Sequence, residues 1–226
     1  PTDDAIVHLL LLRALHLSTV LRRNPPIHSH KMLWLTLFAA RAAPLHRAAP
    51  VSMAFERPPQ TRIFAPDLFS DQVIFITGGG TGMGLELSRG LVSLGANVVI
   101  GSRDPEHHKE FLAFAESSPG SGLAVPLDVT SAASVRGAID TTIEKFGRVD
   151  ALVNNAAGNF IMPTEKMREQ AWRSVVSIAL DGTFLCSREF GKVMLKQGDG
   201  QILSIVATYA WTGMPGVAHS AAAKAG

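Results

Sequence analysis

Short apolar runs rich in β-branched residues alternate with longer segments of helical periodicity from Asp71 to the end of the sequence. The predicted strands are residues 73–77, 97–101, 123–127, 150–155 and 201–206, and the predicted helices are residues 82–94, 105–116, 131–146 and 169–197. Strands separated by single helices form right-handed parallel βαβ units, which stack into an open sheet. The pattern therefore predicts an α/β fold with a doubly wound, Rossmann-like parallel sheet. We expect it to be C-terminally truncated, because the sequence stops at Gly226 in the pattern of a helix interior.

The first 66 residues do not follow this alternation and form a predicted N-terminal extension to the domain at residues 67–226. Between residues 5 and 55 there are six basic side chains and no acidic one. The apolar stretch at residues 5–23 is interrupted by two histidines and an arginine, so it does not offer a clean membrane span. The segment that begins at Met32 is rich in arginine and alanine, which is typical of a mitochondrial or plastid import sequence. A misjoined or untranslated extension and a secretory signal remain open, as do peroxisomal and cytoplasmic locations.

Charge and cysteine content exclude several classes of function. The sequence of 226 residues is 46% apolar, with 21 basic and 19 acidic side chains. The basic excess lies in the N-terminal extension, so the predicted domain has no surplus for binding nucleic acid. Cys186 is the single cysteine, which excludes an internal disulfide, and its apolar helical neighbours favour a buried structural thiol. His107 and His108 are interpreted as surface residues at a helix start, and no metal site is predicted.

A glycine-rich loop joins the first strand to the first helix in the segment VIFITGGGTGMGLEL. Its glycines follow the spacing T-G-x-x-x-G-x-G, which allows a sharp turn and a close approach of the backbone to a pyrophosphate. The free N–H groups of the following helix favour an anion at the same place. The predicted contacts of a dinucleotide cofactor in this loop are Thr77, Gly78, Thr81, Gly82, Met83 and Gly84.

The ends of the second and third strands indicate which dinucleotide binds. Arg103 follows the second strand, where a guanidinium can pair with a 2′-phosphate, so NADP(H) is favoured. The neighbouring Asp104 keeps NAD open, because a carboxylate there can accept both ribose hydroxyls. Asp128, followed by Val129, ends the third strand and is expected to accept from the adenine amino group. The alternative for Asp128 is a helix cap, which Thr130 or Ser131 could also provide.

The motifs TGGGTGMG, LDV and NNAAG at these separations resemble the short-chain dehydrogenase/reductase family over residues 71–226. The resemblance implies that Asn155 braces the central strands and that Asn154, Ala156 and Gly158 border the cofactor, with Asn155 and Ala156 among its contacts. The usual chemistry of the family rests on Asn, Ser, Tyr and Lys. The corresponding positions here are Ala179, Ala207, Ser220 and Lys224.

Three segments, NNAAGNFIMPTEKM, LSIVATYAWTG and HSAAAKAG, resemble one branch of that family, the mitochondrial-type 2,4-dienoyl-CoA reductases, in which the tyrosine lies 15 residues before the lysine. Tyr209 lies 15 residues before Lys224 and is the single tyrosine of the sequence. The resemblance implies that Tyr209 and Asn159 donate hydrogen bonds to the thioester oxygen, where negative charge collects when hydride adds to the diene. Lys224 would hold the nicotinamide ribose, and Ser220 would leave room for a flat acyl chain.

These candidate residues also have structural interpretations. Tyr209 could pack at a strand end, Asn159 could cap a turn, and Ser220 could be a helix cap or filler. Phe160, Met162 and Trp211 flank the candidates and suit either an acyl groove or the core.

The leading hypothesis is an NADPH-dependent 2,4-dienoyl-CoA reductase that acts on acyl-CoA thioesters in the degradation of unsaturated fatty acids. We expect a homo-oligomer when the protein is full length. The alternatives are a trans-2-enoyl-CoA or carbonyl reductase of the same family and a catalytically inactive NADPH-binding sensor or scaffold. Tyr209 and Asn159 favour the enzyme, because an inactive relic has no reason to keep both.

Overall fold

The computed structural model describes residues 64–226, and five strands and seven α-helices lie within this range. In chain order they are β1 (Val73–Thr77), α1 (Gly82–Ser93), β2 (Asn97–Ser102), α2 (Glu106–Ala115), β3 (Ser121–Pro126), α3 (Ala132–Phe146), β4 (Ala151–Asn154), α4 (Glu169–Val176), α5 (Gly182–Gln197), β5 (Gln201–Ser204), α6 (Tyr209–Thr212) and α7 (Ala218–Ala225). The predicted import segment lies outside the described residues except for its last three positions. Its role and its boundary after residue 66 stay predictions.

All five strands are parallel and lie in the order β3-β2-β1-β4-β5. The chain builds the sheet outward from β1 through β2 to β3, then returns to place β4 on the other side of β1. In doubly wound sheets the crevice at such a reversal, outside the carboxyl ends of the strands, is where ligands bind. The predicted α/β fold is confirmed, and its switch point lies between β1 and β4.

The central strands are buried because helices cover both faces of the sheet. Every residue of β1 is buried, and Val98, Val99 and Ile100 of β2 are fully so. On one face, the ring of Phe75 from β1 packs against that of Phe190 from α5, with 4.7 Å between the ring centroids. This continuous apolar core holds the strand ends rigidly enough to carry a binding site.

Cys186 belongs to the same core cluster and is fully buried. Burial raises the pKa of its thiol to about 12. The thiol therefore stays protonated at physiological pH and packs as a small apolar side chain.

The helix predicted over residues 169–197 is interrupted. A π-helical turn at Ser177–Asp181 separates α4 from α5. One extra residue in a turn leaves the spacing within each flanking helix unchanged, so both segments have a helical pattern and were predicted as one helix. Such turns often occur at functional sites.

Strand bounds also differ from the predicted ones. The third strand begins at Ser121, two residues early, and the fourth and fifth end at Asn154 and Ser204. After β5 the apolar run continues through Ile205, which is half-buried, and Val206, which is exposed. Among residues 64–226, none of the helices is long and apolar enough to cross a membrane.

One edge of the sheet is open. All four residues of β5 are exposed, including Ile202 and Leu203, and the strand pairs only with β4. Nothing in the described part of the chain covers its outer edge.

Candidate active site

The glycine-rich loop between β1 and α1 has the geometry of an anion cradle. Gly78 adopts a φ of +67°, a left-handed conformation that favours glycine. A Cβ atom on Gly84 would collide with the carbonyl oxygen of Gly78, so only glycine lets α1 start this close to the turn. The side chain of Thr81 makes no capping hydrogen bond to the start of α1. The first N–H groups of that helix are therefore free to bind a phosphate.

A hydrogen-bonded clamp fixes this loop to β4. The side-chain amide of Asn155 donates to the carbonyl oxygens of Thr77 and Gly78 at 3.0 and 3.1 Å. In the other direction, the hydroxyl of Thr77 accepts from the backbone N–H groups of Asn155 and Ala156 at 3.0 and 2.9 Å. It also donates to the carbonyl oxygen of Val153 at 3.4 Å. We call this set of contacts the Thr77–Asn155 clamp, and it closes the switch point between β1 and β4.

A cavity of about 830 Å³ lies at the carboxyl ends of β1 to β4, beside the clamp. Nine of the predicted cofactor contacts line it, namely Gly78, Thr81, Met83, Gly84, Arg103, Asp128, Val129, Asn155 and Ala156. Thr77, Gly82 and Lys224 do not, because the Thr77 hydroxyl belongs to the clamp and Lys224 lies in α7. The left-handed turn at Gly78 and the free N–H groups at the start of α1 suit the pyrophosphate of a nicotinamide dinucleotide, so these residues fit that cofactor.

Two charged side chains at the rim of the cavity, Arg103 and Asp104, differ in whether they already form hydrogen bonds within the protein. Arg103 is exposed and makes no hydrogen bond or ion pair with residues 64–226. Asp104, in contrast, accepts from the backbone N–H of Glu106 at 2.9 Å and so caps the start of α2. The Arg103 guanidinium is therefore available to a ligand, whereas the Asp104 carboxylate is already hydrogen-bonded. This difference favours an anionic ligand at the rim of the cavity.

Asp128 is held by its own turn. Its carboxylate accepts from the hydroxyl and the backbone N–H of Thr130 at 2.7 and 3.0 Å. These hydrogen bonds, with a weaker attraction from Arg103, hold the pKa of Asp128 below its ordinary value. The helix cap is Ser131, whose hydroxyl accepts from Ser134 N–H. Asp128 therefore does not cap α3, and its charged carboxylate lines the cavity.

A second cluster forms where α6 meets α7. The hydroxyl groups of Tyr209 and Ser220 lie 3.0 Å apart and share a hydrogen bond. Ser220 is buried and Tyr209 is half-buried. The structural alternative for Tyr209 was packing at a strand end, but this residue begins the short helix α6, five residues after β5 ends at Ser204. The structure thus brings two of the four predicted catalytic residues into direct contact.

Lys224 lies one turn beyond Ser220 on α7 and reaches back to the end of β5. Its ammonium donates to the carbonyl oxygen of Ile205. Burial lowers the pKa of this ammonium, because a half-buried charge is poorly solvated. Tyr209, Ser220 and Lys224 therefore form one group at the carboxyl end of β5.

Asn159 is exposed in the loop that follows β4, and its side-chain oxygen Oδ1 accepts a hydrogen bond from the backbone N–H of Phe160 at 2.9 Å. Tyr209 is not among its hydrogen-bond partners. The loop is tied to the region before α7 by a bond from Met162 N–H to Gly216 O at 2.8 Å. The structure therefore brings the Asn159 loop to α7 without joining the two predicted donors directly.

At two positions where the family pattern usually has a polar side chain, this chain has an alanine. Ala179 is buried in the π-helical turn and Ala207 is half-buried after β5. Neither side chain can donate or accept a proton. The hydrogen-bond partner of the Ser220 hydroxyl is therefore Tyr209, because positions 179 and 207 offer no polar side chain.

Three expectations about individual residues differ from the structure. Asn154 does not line the cavity, because successive strand residues point to opposite faces. Its amide donates to Ser187 and Ser204 at 3.0 and 3.4 Å, on the α5 side of the sheet, and Gly158 does not line the cavity either. His108 is half-buried rather than on the surface, because α2 holds it close to the backbone of Ser102.

One residue of this region was missed by sequence reasoning. His219 precedes Ser220 on α7 and is fully buried, with its ring against that of Phe160. The only signal in the sequence was its place inside the segment HSAAAKAG. Spacing to a lysine says nothing about which of its neighbours is buried.

Comparisons with known proteins agree with this geometry. A sequence model of the family described as short chain dehydrogenase matches residues 72–226. A crystal structure of a short chain dehydrogenase from Bacillus anthracis superposes with a TM-score of 0.67 at 46% identity, covering 69% of this chain and 65% of that one.

Two curated relatives carry more detailed names. A Bacillus subtilis (strain 168) protein named "Probable 2,4-dienoyl-CoA reductase [(2E)-enoyl-CoA-producing]" is 40% identical over 156 residues, which are 69% of this chain and 61% of that protein. A Danio rerio protein named "Peroxisomal 2,4-dienoyl-CoA reductase [(3E)-enoyl-CoA-producing]" is 39% identical over 166 residues, which are 73% of this chain and 55% of that protein. The chain therefore spans less than two thirds of the length of these relatives.

The clamp can be tested by Asn155→Ala. The change leaves the carbonyl oxygens of Thr77 and Gly78 without their donor, which costs about 1–3 kcal/mol for buried groups. We expect the free energy of unfolding in urea to fall by this amount and the affinity for a nicotinamide dinucleotide to fall with it, because the loop loosens. The control is Asn159→Ala, an exposed asparagine with one local bond, which should change stability by less than about 0.5 kcal/mol. Equal stability and affinity in Asn155→Ala and the unchanged protein would contradict the clamp.

Proposed function

The chain belongs to the short chain dehydrogenase family, and we propose that it is an NADP(H)-dependent reductase of 2,4-dienoyl-CoA thioesters. The observation that carries the proposal is the hydrogen bond between Tyr209 and Ser220. Ser220 stands where the family usually has its tyrosine, and Tyr209 brings a phenol hydroxyl to the same neighbourhood from another helix. The names of the two curated relatives support the same substrate class.

The dinucleotide, when bound, supplies a hydride to the far carbon of the conjugated diene. The electron pair of the diene then moves toward the thioester, and negative charge collects on its oxygen. Tyr209 donates a hydrogen bond to that oxygen, and Ser220 can donate to the Tyr209 oxygen in turn. Hydrogen bonds in such a chain polarise and strengthen one another. A proton from water or from Tyr209 then adds to carbon and completes the reduction.

Asn159 is the proposed second donor to the thioester oxygen. Its own carbonyl oxygen is engaged by Phe160 N–H, so the amide nitrogen is the group left to donate. Two donors on one oxygen stabilise developing charge more than the neutral ground state, which is how such sites accelerate reactions.

Lys224 contributes charge and position. Its bond to the carbonyl oxygen of Ile205 holds the ammonium at the end of β5, near the residues that lead to Tyr209. We propose that this ammonium holds the nicotinamide ribose and adds positive potential where substrate charge develops.

Ala179 and Ala207 argue against reduction of simple ketones. Ketone reduction requires a proton at oxygen as hydride reaches the carbonyl carbon. The amide and hydroxyl that usually complete the proton relay are replaced by methyl groups. Reduction of a conjugated thioester proceeds without a proton at oxygen, so the loss of these groups is compatible with the proposed reaction.

Preference for NADPH over NADH is proposed to depend on Arg103. The exposed guanidinium has no described partner, while Asp104 is engaged in capping α2. We expect Arg103→Ala to weaken NADPH binding by about 1–3 kcal/mol and to leave NADH binding nearly unchanged, because one charge-assisted phosphate contact is lost. Fluorescence titration with both cofactors measures this. Arg136→Ala, an exposed arginine of α3 outside the cavity, is the control, and equal affinity of the unchanged protein for both cofactors would contradict the proposal.

The reaction itself is tested by Tyr209→Phe, which removes only the hydroxyl. Turnover of a 2,4-dienoyl-CoA should fall about 10²- to 10³-fold, as when one preorganised donor is deleted, with NADPH affinity nearly unchanged. Asn159→Ala should behave similarly, whereas Ser220→Ala should be milder and Lys224→Ala should weaken both binding and turnover. Steady-state assays use a 2,4-dienoyl-CoA, a trans-2-enoyl-CoA, a 3-oxoacyl-CoA and a simple ketone. Efficient ketone reduction by the unchanged protein, or full activity of Tyr209→Phe, would show that the tyrosine is misassigned.

A mitochondrial location is proposed from the acid-free, arginine-rich part of residues 1–66. Fusing these residues to a fluorescent protein should direct it to mitochondria, because presequence import depends on basic amphipathic segments. The same fusion with Arg41→Glu and Arg47→Glu is the control and should remain in the cytosol. Peroxisomal, secreted or diffuse fluorescence of the unaltered fusion would overturn the location and leave the proposed chemistry in place.

A further inference from the structure

His219 is the second residue of α7, and no part of it is exposed to solvent. Neither ring nitrogen has a hydrogen-bond partner among residues 64–226. Burying polar atoms without partners costs free energy, on the order of 1–3 kcal/mol for each group in proteins. A ring that destabilises the fold in this way calls for an explanation other than packing alone.

Among residues 64–226, the aromatic ring that packs against His219 is that of Phe160. The two ring centroids lie 4.5 Å apart and the planes are tilted by 55°, a favourable aromatic arrangement. Burial lowers the pKa of His219, so the ring is neutral in this contact. A neutral aromatic ring and a phenyl ring therefore form the direct link between the Asn159 loop and α7.

The two rings in this contact are next in sequence to residues of the proposed active site. Phe160 directly follows Asn159, and His219 directly precedes Ser220, the partner of Tyr209. The other tie between the same segments, from Met162 N–H to Gly216 O, lies farther from both proposed donors. The ring pair is thus the nearest rigid connection between the segments that carry Asn159 and the Tyr209–Ser220 pair.

We propose that His219 is a positioning residue whose ring, packed on Phe160, sets the separation between Asn159 and the Tyr209–Ser220 pair. The inference rests on the proposed function, in which Asn159 and Tyr209 donate to one oxygen. Each donor must lie about 2.7–3.1 Å from that oxygen to stabilise its charge. A misplacement of about 1 Å can reduce the rate on the order of 10²-fold.

The shape of the ring carries this role, and its nitrogens do not. A phenyl ring at position 219 would keep the aromatic contact and remove two unpaired polar atoms. His219→Phe is therefore expected to unfold at a higher temperature than the unchanged protein and to keep its turnover. His219→Ala removes the ring and lets the Asn159 loop shift relative to α7.

The test measures kcat and KM for a 2,4-dienoyl-CoA, the Kd for NADPH and the unfolding midpoint of five variants of the whole protein. His219→Ala and Phe160→Ala should each lose about 10²-fold in kcat, with the Kd for NADPH nearly unchanged because neither ring lines the cofactor cavity. The double variant should lose no more than either single one, because both changes remove the same contact. His219→Phe should restore kcat. Phe160→Leu, which keeps the apolar volume without the flat ring, should show an intermediate loss and reports on the contact even if His219→Phe does not fold.

Wild-type kcat in His219→Ala, assayed well below its unfolding midpoint, would overturn the proposal. Equal impairment of His219→Phe and His219→Ala in folded protein would also overturn it, because the imidazole nitrogens would then matter.

Absence of turnover in the unchanged protein would refute the proposed function instead. The positioning role is then judged by NMR of protein labelled with ¹³C-tyrosine, because Tyr209 is the single tyrosine of the sequence. Its ring resonances should shift in His219→Ala and Phe160→Ala and stay in place in His219→Phe. Ring resonances that stay in place in both alanine variants would overturn the positioning role.

Discussion

The Thr77–Asn155 clamp is the constraint on which the rest of the structure depends. Where two parallel strands separate at a switch point, the backbone groups at the strand ends lose their partners in the sheet. The Thr77 hydroxyl and the Asn155 amide provide these partners. Because the Asn155 amide donates to the loop and the Thr77 hydroxyl accepts from and donates to the backbone of residues 153–156, the glycine-rich loop is held against the end of β4. The clamp therefore fixes the position of the glycine-rich loop, of the free N–H groups at the start of α1 and of the cavity beside them.

The chemistry proposed for the chain depends on the same edge of the sheet. The residues after β4 lead to Asn159, and the residues after β5 lead to Tyr209, so adjacent parallel strands deliver both to one side. Lys224 then returns from α7 to the end of β5 through Ile205. The sheet thus carries the cofactor cavity at the carboxyl ends of β1 to β4, and the two helices that follow β5 carry the hydroxyl cluster.

The elements that sequence reasoning predicted well are those with a local physical signature. Alternating apolar runs located all five strands, and the spacing of Gly78, Gly82 and Gly84 located the loop. The contact between Tyr209 and Ser220 could not be predicted in the same way, because it depends on the turn made by α6 and on how α7 folds back. The π-helical turn at Ser177–Asp181 and the burial of His219 depend on tertiary packing, which leaves periodicity unchanged.

The open edge formed by β5 has a consequence for how this chain behaves in concentrated solution. Its unpaired backbone groups and the exposed side chains of Ile202 and Leu203 form a template to which another strand can add. Natural sheets protect such edges with charge, proline or a covering element, and β5 itself carries no charged residue and no proline. The tendency of the described domain to associate therefore depends on what covers this edge, whereas the cofactor cavity at the carboxyl ends of β1 to β4 does not include β5.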